Sequence, residues 1–259
     1  MDVEVEPGKL WAAKPIFMST LIPMANQRTQ VEERTNANER TGAEPRLTPK
    51  GRATQARIVA AAAELIFEHG VAGTSIEDVR QAAGVSGSQM THYFRDKHAL
   101  VRAVIAWRAQ SVVELHQQPV LGRLDSFPAL RLWAALNVER QRQRDCQGGC
   151  SFGSLAGELA EADPGTRADL AAGFDRWESL FRQGLAAMRA RGELGQAADP
   201  DQLAAALMAA LQGGMLLTQT TRSTAPLEAA LDAMLSHIES FAPHDESLAL
   251  HPRPPGSHP

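Results

Sequence analysis

Two cysteines, Cys146 and Cys150, stand in 259 residues, too few for a disulfide framework, and this fits a reducing compartment. Aromatic side chains supply only 5% of the chain. Sustained alternation of Val, Ile and Thr with polar residues is missing, which removes the pattern of half-buried strands. Apolar runs are interrupted every few residues by Arg, Glu, Gln or Gly, and none is read as reaching the roughly 20 residues that span a bilayer. Residues 1–23 begin acidic at Asp2, Glu4 and Glu6, and the apolar patch from Ile16 to Ile22 is split by Ser19 and Thr20, so no signal-peptide core is present. The expectation is a cytoplasmic protein with no membrane partner. No His, Cys and carboxylate set has ligand spacing, so neither a metal nor another cofactor is expected.

What the chain does contain is helical periodicity, with Ala, Leu, Arg, Glu and Gln dominating. An all-α protein of nine helices follows. The first runs from about Ala53 to His69 and is stopped by Gly70. Thr74 with Glu77, and Ser86 with Gln89, form capping boxes that open two short helices on either side of Ala83-Gly84-Val85. Longer helices are predicted from Lys97 to about His116, from Phe127 to Arg144, from Thr166 to Arg191, from Asp199-Pro to Thr221, and from Pro226 to Phe241, with a short helix after Cys146-Gln-Gly-Gly-Cys150 reaching Glu161. Residues 1–46 lack periodicity and read as a disordered extension, in which Met18 and Met24 are alternative starts; 243–259 read as a disordered tail. Between them, 47–96 form an N-terminal three-helix unit and 97–242 a C-terminal helical domain.

The formal charge of −4 is unevenly distributed. Residues 44–110 carry nine basic against six acidic side chains, while 111–259 carry twelve against eighteen. A local cationic surface is what phosphate binding needs. Within 74–94, Ile76, Val79, Ala82, Val85, Met90, Tyr93 and Phe94 fit one small core made by two crossed helices and a third behind, which is helix-turn-helix spacing. Gly87, Ser88, Gln89, Thr91 and His92 then face outward, short and polar, and Gln can read adenine in a bidentate way. The plainer alternative is a three-helix unit with an ordinary solvated face.

Residues 53–100, through Thr74-Ser-Ile-Glu-Asp-Val, Ala83-Gly-Val-Ser86, His92-Tyr-Phe94 and Lys97-x-Ala-Leu100, resemble the N-terminal domain of tetracycline-repressor (TetR) family regulators. Gly149-Cys-Ser-Phe-Gly-Ser-Leu-Ala-Gly-Glu158 and Leu211-Gln-Gly-Gly-Met215 resemble a subgroup with a Gly-Cys-x-x-Gly-x-Leu-Ala motif. The resemblance implies a homodimer on a palindromic double-stranded DNA operator, usually as a repressor, with a small-molecule effector bound in the C-terminal domain. It also implies phosphate contacts at Thr74 and Lys97, backbone contacts at His92 and Tyr93, and base or phosphate contacts at Ser86, Gly87, Ser88, Gln89 and Thr91. The common Lys-Gly after the capping Ser is Gly87-Ser88 here and the common Tyr at 91 is Thr, so one cation and one aromatic contact are lost. An arm carrying Arg46, Lys50 and Arg52 is the expected compensation.

The eighth predicted helix presents Leu203, Leu207, Ala210, Leu211, Gly214 and Leu217 on one face, and the ninth presents Leu227, Leu231, Met234, Leu235, Ile238 and Phe241. Glycines at 213 and 214 inside a helix suggest a closely passing backbone. A four-helix dimer interface through Leu207, Leu211, Gly214, Leu227, Leu231, Met234 and Ile238 is expected, against packing within one subunit. Trp107, Trp133, Cys150, Phe152, Phe174, Trp177 and Phe181 are the expected walls of an effector pocket, against a filled core. Glu114, Glu139 and Glu158 are too scattered to mark a cationic ligand.

Two other chemistries are weighed. Gly149-Cys150-Ser151-Phe152-Gly153 satisfies G-x-S-x-G, but a nucleophile elbow needs a strand before it and none is predicted, so no catalytic residue is assigned. Cys146 and Cys150 near Arg142 and Arg144 suggest a redox or electrophile sensor as one alternative. A helical carrier or enzyme with a vestigial DNA module is the other.

Overall fold

The computed structural model describes residues 47–243 other than 117, 119, 120 and 122; the expected extension at 1–46 and all but the first residue of the expected tail lie outside the described residues. Among the described residues there are nine α-helices and no strand. They are α1 Pro49–His69, α2 Ile76–Ala82, α3 Gly87–Tyr93, α4 Lys97–His116, α5 Phe127–Gln143, α6 Ser151–Leu159, α7 Pro164–Ala190, α8 Pro200–Thr221 and α9 Ala225–Glu239.

Local chemistry sets most of the helix ends. Thr48 Oγ1 accepts the Gly51 amide at 3.1 Å and Pro49 takes the first helical turn, so α1 starts four residues earlier than periodicity places it. Lys50 and Arg52 are therefore helical rather than part of a free arm, and the Arg52 guanidinium donates to the Leu47 carbonyl at 2.7 Å; Arg46 lies outside the described residues. At α2 the cap is Ser75, not Thr74. Ser75 Oγ accepts the Asp78 amide while the Asp78 carboxylate accepts the Ser75 amide, closing a capping box one residue later than the expected Thr74–Glu77 pair. Thr74 is turned inward at 3% exposure and its hydroxyl donates to the Gly70 carbonyl at 2.9 Å. Ser75→Ala is expected to lower stability by about 1 kcal/mol in urea unfolding, the usual cost of a lost cap. An unchanged midpoint would return the capping role to Thr74.

Two apolar cores meet along α4. The first joins α1 to α4 through Ile58, Ala62, Val79, Val85, Met90, Phe94, Leu100 and Val104, and continues into Phe152 and Leu155 of α6. The second fills the space among α5, α7, α8 and α9 with Trp133, Trp177, Phe181, Leu207, Leu211, Leu227 and Leu231. Polar contacts also tie α4 to α7 and its N-cap: His98 Nε2 is hydrogen-bonded to Asp163 at 3.0 Å, and Arg102 pairs with Asp169 at 2.6 Å. Hydrogen bonds from Thr166 and His98 hold the Asp163 carboxyl below the usual range.

α8 departs from the sequence reading in one respect. It is long and apolar enough to cross a membrane, with no charged side chain from Gln202 to Thr221. Its buried stripe, Leu203, Leu207, Leu211 and Met215, packs instead into the second core between α7 and α9.

Candidate functional site

The helix-turn-helix is built from α2 and α3. Gly84 turns the chain at φ 61°, and the Arg57 guanidinium of α1 donates to the Ala83 carbonyl at 2.9 Å, fastening the turn to the helix behind it. At the head of α3 the Ser86 hydroxyl accepts the Gln89 amide and the Gln89 side-chain carbonyl accepts the Ser86 amide at 2.9 Å. Met90 and Phe94 are buried beneath. Gly87, Ser88, Gln89, Thr91 and His92 share the exposed face, Tyr93 is half-buried beside them, and the two rings of His92 and Tyr93 meet edge to face at 5.0 Å.

Several of these side chains are committed within the chain. Because its carbonyl oxygen is held by the cap, Gln89 offers a base its amide hydrogens first; bidentate reading of adenine requires the cap to open. Thr91 Oγ1 donates to the Gly87 carbonyl at 3.0 Å. Arg80 is paired with Glu77, whose pKa it pulls down to about 2 with help from Gln81. Half-buried Lys97 begins α4, where Asp96 caps the helix by accepting the Ala99 amide at 2.7 Å. With its side chain buried, Thr74 does not present a hydroxyl to the surface.

The expected dimer residues sit elsewhere than expected. Leu207, Leu211, Leu227, Leu231 and Ile238 are buried inside the subunit, and Met234 packs half-buried against the same core. A Cβ on Gly214 would press on the Leu227 backbone at 2.9 Å, so the close backbone is the same chain's α9. The strongest apolar stripe of each helix is spent on its partner within the subunit. Left outside is the opposite face of α8, where Ala205, Ala206, Ala209, Gly213, Leu216 and Leu217 are exposed.

The expected pocket walls do not enclose one cavity. Trp133, Trp177 and Phe181 fill the second core, Phe152 the first, Trp107 packs on the first, and Phe174 and Cys150 lie half-buried against both. Their rings close up on each other, Trp133 to Phe181 at 4.9 Å and Phe152 to Phe174 at 4.8 Å. His116 completes the packing, accepting the indole N–H of Trp133 at 3.0 Å and of Trp177 at 3.4 Å. Burial pushes the Cys150 thiol up, against the thiolate that sensing needs, while its sulfur accepts the Gly153 amide at the head of α6. Ser151 opens α6 after a loop, not a strand, so the elbow geometry is missing.

An open cavity lies at the junction of α1, α4 and α6. It holds about 220 Å³ and is lined by Phe67, Val104, Arg108, Ser151, Ser154 and Glu158, among others. The Glu158 carboxylate reaches from α6 to the turn after α1 and accepts the Val71 and Ala72 amides, each at 2.9 Å. Thus α6 holds the segment that leads into the helix-turn-helix. Sequence reading left Glu158 unassigned and missed Arg108; the available signal was a charged residue amid Val104, Ile105 and Ala109, on the buried stripe of α4.

Comparison with known proteins agrees with this architecture. Residues 58–104 match the family of bacterial regulatory proteins called tetR, and residues 128–234 match the tetracyclin repressor-like C-terminal domain. The transcriptional regulator AcuR of Cereibacter sphaeroides is 27% identical over 197 residues, covering 76% of this chain and 87% of AcuR. The HTH-type transcriptional repressor DhaR of a Mycobacterium species is 24% identical over 194 residues, covering 74% of this chain and 94% of DhaR. A crystal structure of a TetR transcriptional regulator from Chloroflexus aurantiacus superposes with a TM-score of 0.65 at 26% identity, over 75% of this chain and 98% of that one. With one match over the helix-turn-helix and a second over the C-terminal helices, the chain belongs to the TetR family of transcriptional regulators.

Proposed function

We propose that this regulator is a cytoplasmic homodimeric repressor that binds a palindromic operator and leaves it when a small-molecule effector binds. The observation that carries the reading is the exposed face of α3 from Gly87 to His92, which holds no carboxylate, on a helix-turn-helix packed on buried Val79, Val85, Met90 and Phe94. Repression is supported by the relative DhaR, which is named a repressor. DNA contacts are assigned to Arg52, Ser86, Gly87, Ser88, Gln89, Thr91, His92, Tyr93 and Lys97. Two recognition helices in one dimer must meet half-sites about one helical turn, or a multiple of it, apart, so a small pivot of α4 prevents simultaneous docking. Glu158 supplies a path for that pivot, since any shift of α6 moves the Val71–Ala72 segment that it holds.

Titration against duplex DNA from immediately upstream of the protein's own gene, at several salt concentrations and beside a random duplex, tests the reading through two variants. Gln89→Glu keeps a capping-box side chain but places a carboxylate against DNA, and is expected to cut operator binding by more than about tenfold. Lys97→Ala is expected to weaken operator and random duplex alike and to reduce the salt slope by about 0.9, the signature of one lost phosphate contact. Wild-type affinity in both variants would remove α3 and the head of α4 from the interface.

A further inference from the structure

The two glycine-bearing motifs set apart in the sequence, Gly149-Cys-Ser-Phe-Gly153 and Leu211-Gln-Gly-Gly-Met215, meet in the fold. At both Gly149 and Gly153 a methyl group would collide with the side-chain carbonyl oxygen of a glutamine of α8, Gln219 over the first and Gln212 over the second. The two glycines are recesses, and α8 fills each with an amide. Gln212 is held further through its Nε2, which donates to the Met208 sulfur at 3.7 Å, and it is hydrogen-bonded to the Cys150 thiol. Gln212 and Gln219 are two turns apart, so both lie on one side of α8, half-buried between its buried stripe and its exposed strip. A third tie comes from just beyond α8, where the Arg222 guanidinium donates to the Cys146 carbonyl at 3.0 Å. Asp145, Cys146 and Arg222 are the non-glycine residues with a left-handed backbone among the described residues, so strain is concentrated at this junction.

The apolar side of α6 belongs to the other half of the molecule. Phe152, Leu155 and Leu159 are buried in the first core, together with the helix-turn-helix, whereas α8 builds the second. In the last turn of α6, Glu158 accepts the Val71 and Ala72 amides, each at 2.9 Å, shortly before α2 begins at Ile76. A nine-residue helix is a stiff rod about 13 Å long. Its head is therefore held by α8, and its foot holds the turn that leads into α2.

We infer that α6 is a strut carrying the position of α8 to the helix-turn-helix, with Gln212 and Gln219 as positioning residues seated in the recesses of Gly149 and Gly153. A displacement of α8 draws the two amides with it, tilts α6 on its buried apolar side and changes the hold of Glu158 on the Val71–Ala72 turn. Under the regulator reading argued above, this is the route by which events at α8, its exposed strip included, reach the recognition helices. The consequence for DNA rests on that reading; the mechanical link does not.

Amide hydrogen exchange of the full chain, read at Val71 and Ala72, tests the strut. Gln212→Ala withdraws one arm without adding an atom, and Gly153→Ala fills the recess from the α6 side, expelling the far end of a flexible side chain. Each is expected to speed exchange at Val71 and Ala72 by about fivefold, a mid-range coupling between separated elements, with exchange in α7 and α9 unchanged. Glu158→Ala removes the foot of the strut, and in that background either change is expected to add less than about twofold, because the link is already cut. A Gln212 that only stabilises its own surroundings would speed exchange across α8 and α9 instead, or would add its full effect to that of Glu158→Ala. Either of those results, or unaltered exchange at Val71 and Ala72 in either single variant, would overturn the proposal. Operator binding by the native chain, measured in parallel, separates the two readings: coupled exchange without operator binding overturns the regulator and leaves the strut, and operator binding with uncoupled exchange does the reverse.

Discussion

A chain carrying both Leu216→Glu and Leu217→Glu is expected to sediment as a monomer and to lose operator affinity by about a hundredfold or more, because each half-site alone supplies only half of the contacts. The two leucines are 63% and 53% exposed, which with Leu132 makes them the large exposed apolar side chains among the described residues. They continue a strip of Ala205, Ala206, Ala209 and Gly213 along the outside of α8, and α9 also exposes Ala229 and Ala233. A smooth, uncharged face with small residues at its centre lets two helices approach closely, and a self-complementary patch is what a two-fold dimer requires. Two glutamates there would bury unpaired charge facing its symmetry mate, which disfavours association by several kcal/mol. Helical content and urea stability of the monomer should be preserved, since neither side chain contributes to the subunit core. A variant that remains dimeric in sedimentation would place the interface on another face.

The second large effect is expected at His116. Its Nδ1 lies 2.8 Å from the Val112 carbonyl and its Nε2 accepts two indole N–H groups, so only the neutral tautomer protonated at Nδ1 satisfies the site. Burial lowers the pKa from the ordinary 6.5. Replacement by Leu leaves the indoles of Trp133 and Trp177 buried without an acceptor and is expected to cost about 2–4 kcal/mol, a large share of the roughly 5–15 kcal/mol that holds a domain folded. The sign of the pH effect follows from linkage. In the unfolded chain His116 takes up a proton as pH falls below about 6.5, while the folded chain resists doing so, so stability is lost from there down to the folded pKa. Urea unfolding at pH 7.5 and 5.5 should show a larger acid loss for the native chain than for His116→Leu. Equal losses would mean that the imidazole titrates alike in both states.

These residues also show what a sequence makes legible. The α3 cap is local, Ser86 and Gln89 being three residues apart, and its hydrogen bonds form wherever that segment is helical. At α2 two adjacent hydroxyls both satisfy the local rule; the tertiary demand that Thr74 cover the Gly70 carbonyl chooses between them. Periodicity found the strongest apolar stripe on α8 and α9, and that stripe went to the subunit core. A second face of Ala, Gly and exposed Leu has little periodic signal to set it apart from an ordinary surface. The cavity escaped for a different reason: none of the predicted pocket walls lines it, and its edges come from residues as far apart as Ala63, Arg108, Glu158 and Gln219. Glu158 and its amide partners are 86 and 87 residues apart, beyond any window of pattern reading.

Selection of bound duplexes from a fully random pool tests the central claim most directly, because it needs no knowledge of the operator. The account predicts enrichment of a palindrome whose half-sites lie about one helical turn, or a multiple of it, apart, bound by an even number of chains at about 10 nM or tighter and about a thousandfold above random duplex. Failure to enrich any sequence, with equal, weak and salt-sensitive binding across the pool, would contradict it.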